Sequence, residues 1–303
     1  MLRPGPFISD GPDYGGLPWW LGQPNSAATG ISGTGQAVKI RTSDPAFLKR
    51  VDSFYTKLFA LLRQESLCAD QGGPIIMAQI DNEYGLFGSD KEYLAHLRDL
   101  WRAGLGDGIV IHSTDPPTAL VMGGSRVEGV LQTLDMGYDM SPVNSFNTLK
   151  ASQAVFNKEP QPLMCSEIYP GNLNYVGDSF FPHIYDPKLV ANAIDNILDT
   201  NLIGGSTSFA LWLFSSGTDF GFWGGTLFIG SWKQLLPSYD FGAPVDEAGV
   251  IRPLFYLLRD VLVKHGAVLP VAPLPESPPV GLGERTQRCA IQRHRASVFL
   301  LCA

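Results

Sequence analysis

Paired cysteines, clustered histidines, excess basic charge and long apolar runs are all missing from this chain, and each shortage removes a class of function. Its four cysteines (Cys68, Cys165, Cys289, Cys302) show no CxxC spacing and no neighbouring histidine, so neither a zinc site nor a dithiol redox centre is expected. Cys165 lies in an apolar run and reads as a buried, inert thiol. The five histidines stand singly, and no metal or cofactor role falls to them. A net charge of −7 argues against nucleic acid as partner, since phosphate recognition rests on clustered Lys and Arg. No stretch has the apolar length needed to span a bilayer. The opening residues, Met1-Leu2-Arg3-Pro4-Gly5-Pro6, lack the basic, apolar and small-residue sections of a signal peptide and read as the interior of a domain.

What is present is the composition of a globular protein with a large core: 45% hydrophobic against 17% charged residues. Strand and helix patterns alternate, which predicts an α/β fold with a parallel sheet. Strands are expected at 2–8, 75–80, 109–112, 130–134, 163–165 and 206–214. The last of these nearly lacks charge, as a strand buried on both faces should. A helix capped by Ser43 or Asp44, with Pro45 in its first turn, carries Phe47, Val51, Phe54, Leu58 and Leu62 at helical spacing. Ser89 and Glu92 have capping-box spacing ahead of Tyr93, Leu97, Leu100 and Trp101. Further helices are expected from Asp186-Pro187 and over 253–264. The Gly/Ser-rich residues 23–36 read as a surface insertion. The domain reading is a catalytic unit over 1–265, a Pro/Gly-rich linker over 266–283, and a tail over 284–303.

Two glutamates stand out. Glu83 ends the run Ala78-Gln79-Ile80-Asp81-Asn82-Glu83, and Glu167 follows Leu163-Met164-Cys165-Ser166. They are 84 residues apart, close to three strand–helix units of roughly 30 residues in a (β/α)8 barrel. That spacing places both carboxyls at the C-terminal end of the strands, where active sites of this fold sit. Two carboxyls there are the minimal apparatus for hydrolysing a glycosidic bond. Asn82 could bind a sugar hydroxyl, and Tyr169 could orient Glu167 or line the sugar pocket.

The ordered blocks Leu2-Arg3-Pro4-Gly5-Pro6-Phe7-Ile8, Gly15-Gly16-Leu17-Pro18-Trp19-Trp20-Leu21, Gln79 to Gly85 and Ser166-Glu167-Ile168-Tyr169 resemble glycoside hydrolase family 35, the β-galactosidases. The later blocks Gly217-Thr218-Asp219-Phe220-Gly221-Phe222-Trp223 and Ser238-Tyr239-Asp240-Phe241-Gly242-Ala243-Pro244 extend the resemblance. It implies a TIM barrel, here incomplete with about strands 3 to 8 present, no cofactor, Glu83 as acid/base and Glu167 as nucleophile. It implies a β-galactoside substrate contacted by Asn82, Tyr169, Trp212 and Asp10, and an extracellular, vacuolar or lysosomal setting. The pattern also departs from the family. Ser9-Asp10-Gly11 replaces a Cys-Ala-Glu block, Trp212 and Phe241 replace tyrosines, and Asp219 stands for an Asn. Each lost tyrosine removes a hydroxyl able to select a sugar. The alternatives kept open are an inactive remnant that binds carbohydrate, and a relative acting on another β-linked sugar such as glucosamine.

Overall fold

The computed structural model describes residues 1–9, 14–22, 38–177, 186–219, 224–228 and 230–266. Asp10, the expected insertion at 23–36, residues 220–223, nearly all of the expected linker and the whole tail lie outside the described residues. In chain order come α1 (Pro45–Gln64), β1 (Met77–Gln79), α2 (Tyr84–Phe87), α3 (Lys91–Leu105), β2 (Val110–Asp115), α4 (Pro117–Met122), β3 (Leu131–Gly137) and α5 (Pro142–Gln153). They are followed by β4 (Leu163–Tyr169), α6 (Pro187–Leu198), α7 (Thr200–Ile203) and β5 (Thr207–Leu211). Four short strands, β6 (Gly217–Thr218), β7 (Thr226–Phe228), β8 (Trp232–Gln234) and β9 (Ser238–Tyr239), precede α8 (Pro253–Lys264).

Strands β1 to β5 form one parallel sheet in sequential order. Leu2 bridges Ala78 in parallel on the free side of β1, through Leu2 N–H to Met77 and Gln79 N–H to Leu2. Six neighbouring segments thus follow one another with helices between them, an incomplete (β/α)8 barrel. Among the described residues β5 pairs with β4 alone. The expected strand at 2–8 is reduced to that bridge: Pro4 and Pro6 have no N–H to donate, and Gly5 takes a left-handed φ of 96°.

The apolar faces of the helices pack on the outside of this sheet in two clusters. One joins α1 and α3 to β1 and β2, with Tyr55, Tyr93, Leu97 and Trp101 fully buried. Trp101 meets Tyr55 and Phe59 edge-on at 5.7 and 5.1 Å, and each such buried aromatic stabilises the fold by roughly 3 kcal/mol or more. The other cluster joins α5, α6 and α8 to β3 and β4 through Phe146, Leu149, Ile194, Ile197 and Leu258. Asp44, rather than Ser43, caps α1, accepting from Ala46 N–H at 2.9 Å. Asp90, not Ser89, caps α3, accepting from Tyr93 N–H at 3.0 Å. An ionised carboxylate one residue nearer the helix is the better acceptor for those orphan donors. No described helix is long and apolar enough to cross a membrane.

Strands β2, β3 and β4 run three or four residues beyond their expected ends at 112, 134 and 165. The extensions carry Thr114, Asp115, Asp135, Ser166 and Glu167, polar side chains that turn into the barrel or cap its rim. Thr114 and Thr133 hydroxyls bond Ser166 Oγ at 2.7 and 2.6 Å, so these three hydroxyls satisfy one another inside the barrel.

Candidate active site

Residues 80–85 leave β1 in a tight turn whose backbone is fixed at nearly every step. Ile80 N–H donates to His112, Asp81 N–H to Gly5, and Gly85 N–H to the carboxylate of Asp115 at 2.8 Å. Asp81 and Glu83 both adopt left-handed φ, 54° and 44°. This is unfavourable for non-glycine residues by about 1–2 kcal/mol each, and it persists where surrounding contacts over-determine it. Arg41 supplies such contacts. Its guanidinium reaches the Asp81 carboxylate at 3.2 Å and donates to the Asn82 carbonyl at 2.6 Å. The result is a Glu83 side chain held at the mouth of the barrel beside Asn82, whose Nδ2 donates to Glu83 Oε2 at 3.4 Å.

Glu167 reaches the same place from β4 by a β-bulge. Leu134 pairs with Cys165, but the next pair is Asp135 with Glu167, so Ser166 is the extra residue. Strict alternation would turn Glu167 outward with Cys165. The bulge instead puts Ser166 and Glu167 both inward and returns Ile168 to the helix-side core. There Arg3 pairs with Glu167 Oε2, donates to Asn82 Oδ1 at 2.7 Å and to Gln79 Oε1, and stacks over Trp212 at 4.7 Å. Arg3 and Asn82 therefore link the two glutamates. Burial raises the Glu167 pKa above the usual carboxylate range; the Arg3 charge lowers it and the nearby Glu83 charge raises it further.

A third carboxyl completes the group. Asp135 is buried, and burial, with the charges of Glu83 and Glu167, pushes its pKa well up. The Tyr169 hydroxyl bonds Asp135, and its phenol pKa is raised by burial and by the same three acids. Asp115 rises to about 7, mainly by burial. His112, beneath the site, falls to about 3 by burial and the charge of Arg3, and is neutral. A cavity of about 520 Å³ opens beside Arg3, Asn82 and Trp212, bounded on its far side by residues 215–219 and Tyr239. This is within the size range of small-molecule sites. Neither glutamate is part of its wall; their partners Arg3 and Asn82 form it there.

Of the residues singled out from sequence, the structure brings Glu83, Asn82, Glu167, Tyr169 and Trp212 into one cluster, and Asp10 lies outside the described residues. Arg3, Gln79, Asp115 and Asp135 were not anticipated. Asp135 had a signal, a lone acid inside the apolar run Leu134-Asp135-Met136. Arg3 had one as well, a charge between Leu2 and Pro4 in a strand-like segment. No group of three or more His, Cys, Asp or Glu among the described residues is arranged to hold a metal ion.

A family model for glycosyl hydrolases family 35 matches residues 1–265. The chain is similar to beta-galactosidase 1 of Dictyostelium discoideum, 32% identical over 274 residues covering 88% of this chain and 38% of that protein. It is 35% identical over 282 residues to the beta-galactosidase-1-like protein of Mus musculus, covering 92% and 39%. It is 35% identical over 285 residues to beta-galactosidase 17 of Arabidopsis thaliana, covering 92% and 37%. The chain spans about two fifths of the length of these relatives.

Proposed function

The chain belongs to glycosyl hydrolases family 35, and from that premise we propose that it removes terminal β-linked galactose by double displacement, with Glu83 as acid/base and Glu167 as nucleophile. The observation that carries this reading is the Arg3–Asn82 link, which gathers the two carboxyls on one side of the barrel mouth. In the first step Glu167 attacks the anomeric carbon while Glu83 gives its proton to the departing glycosidic oxygen. In the second, Glu83 takes a proton from water, whose oxygen displaces Glu167 from the sugar. Arg3 favours the ionised form of Glu167 needed for attack, partly offsetting burial. Asn82, Tyr169 and Trp212 would contact the sugar, with Asp10 as a further contact.

A 2-deoxy-2-fluoro-galactosyl fluoride reagent tests this reading. Peptide mass spectrometry is expected to find the label on Glu167, and Glu167→Gln to abolish both labelling and turnover of a chromogenic galactoside. Labelling that survives in Glu167→Gln would overturn the assignment.

A second reading, a chain that binds carbohydrate without cleaving it, is favoured by the absence of both glutamates from the cavity wall and by the side of β5 that has no strand partner among the described residues. Galactose binding by calorimetry with no label and no turnover would select it.

A further inference from the structure

Asp135 has no part in the two steps above, yet it stands between the residues that perform them. It is 1% exposed, and among the described residues no Lys or Arg pairs with it. Its register partner across the β3–β4 ladder is Glu167. Its carboxyl meets that of Glu83 at hydrogen-bonding range, while its Oδ2 has no N–H or O–H donor. The titratable groups facing it are Glu83 from the turn after β1, Asp115 from β2, and Cys165, Glu167 and Tyr169 from β4. Apart from the Tyr169 hydroxyl, these bring negative charge or nothing.

Two ionised carboxylates in contact in such a place have only acceptors to offer each other. One proton between them turns a repulsive contact into a strong hydrogen bond. We propose that Asp135 holds a proton and donates it in a hydrogen bond to Glu83, acting as a positioning residue that keeps the acid/base carboxyl aimed into the site. The role of Glu83 as acid/base rests on the reading of the previous subsection; the proton on Asp135 does not. The raised proton affinity of Asp135 agrees with this assignment. The proton count closes. The Glu83–Asp135 pair carries two protons before the first step, passes one from Glu83 to the leaving oxygen, and regains one from the attacking water. Asp135 keeps its own throughout.

The test has two arms. In the first, the chain is labelled with carbon-13 at its aspartate carboxyls, and the carbonyl stretch of protonated carboxyls is followed by infrared spectroscopy as pH rises. Among the described residues Asp115 is the other buried aspartate without a basic partner that holds a proton near neutrality, so the reference is Asp115→Asn; Asp81 is paired with Arg41. An aspartate band that persists above about pH 8 in Asp115→Asn, and is lost in Asp115→Asn/Asp135→Asn, is expected. Its absence from Asp115→Asn overturns the proposal, and that measurement needs no substitution at Asp135, so a double variant that failed to fold would not blunt it.

In the second arm, Asp135→Asn is expected to move the alkaline limb of kcat/KM for an unactivated galactoside to higher pH, with KM little changed. The amide still donates to Glu83 but is a weaker donor than a protonated carboxyl, so it stabilises ionised Glu83 less. A limb moved to lower pH would mean that the substitution removed a negative charge, and overturns the proposal. An unchanged limb removes the positioning role. If the unsubstituted chain turns over no galactoside, the hydrolase reading fails, while the infrared arm still decides where the proton sits.

Discussion

Both carboxylate oxygens of Asp115 are engaged: Oδ1 accepts from Gly85 N–H at 2.8 Å, and Oδ2 from the Ser125 hydroxyl. Its job is to anchor the turn that presents Glu83. Burial, then the charges of Glu83 and Asp81, outweigh these two bonds and lift its pKa from the ordinary 3.8 to about 7. Between those values the unfolded chain has released the proton and the folded chain keeps it, so stability falls as pH rises through this window. The loss amounts to a few kcal/mol in total. Asp115→Asn keeps an acceptor for Gly85 and gains a donor for Ser125 while removing the charge. Urea midpoints are expected to match wild type near pH 4 and to exceed it at pH 8. A variant whose midpoint declines in parallel with wild type would locate the titration elsewhere. The same residue shows why some of the site was hidden in the sequence. A carboxylate that binds a backbone N–H one strand away has no local spacing that announces it.

At the scale of elements, the cap of α3 is also a clamp between helices. Asp90 accepts from Tyr93 N–H within its own helix and from both the N–H and hydroxyl of Ser43, at 2.7 and 2.8 Å, just before α1. Burial alone would raise its pKa, but these bonds hold it below the ordinary value. Its contribution is therefore full above the unfolded pKa and is lost as pH falls through the folded one. Asp90→Ala is expected to lower stability by about 1–2 kcal/mol at neutral pH, read as a lower denaturant midpoint, with the difference shrinking in acid. A difference that held constant down to acid pH would assign the effect to helix propensity instead. Helices such as α1 and α3 were legible because their buried stripes repeat every three or four residues. Helix α5 was not, since Asn144, Ser145, Thr148 and Ser152 interrupt its apolar stripe. The strands were legible in place but cut short. Apolar content ends at 112, 134 and 165, whereas the ladder continues through polar residues that face the barrel interior. The inward aim of Glu167 was not readable at all, because it depends on a bulge that breaks the two-residue alternation.

At the scale of the molecule, the feature that organises stability and site together is the side of the sheet left open among the described residues. The segment holding Leu2 to Ile8 lines one face of the 520 Å³ cavity and Trp212 to Asp219 lines the other. Arg3 spans between them, anchored by Glu167, Asn82 and Gln79 and stacked on Trp212. Family membership told which blocks would be near one another, but not that a single guanidinium would tie the first segment to β4 and to the loop after β5. Arg3→Met keeps the length and apolar body of the side chain while removing every one of its charged bonds. The leading segment then retains its bridge to β1 and the bond from Tyr55 to the Gly5 carbonyl at 2.6 Å, so the fold is expected to survive. What should change is local opening. Amide exchange in residues 2–8 and 212–219 is expected to speed up by roughly tenfold or more, as the loss of a charge-assisted bond of about 1.5–3 kcal/mol implies. Exchange in β2 and β3, which Arg3 does not touch, should stay at the wild-type rate. Faster exchange across the whole sheet would mean that Arg3 supports the barrel globally, and no change at either segment would mean that other contacts close the open side.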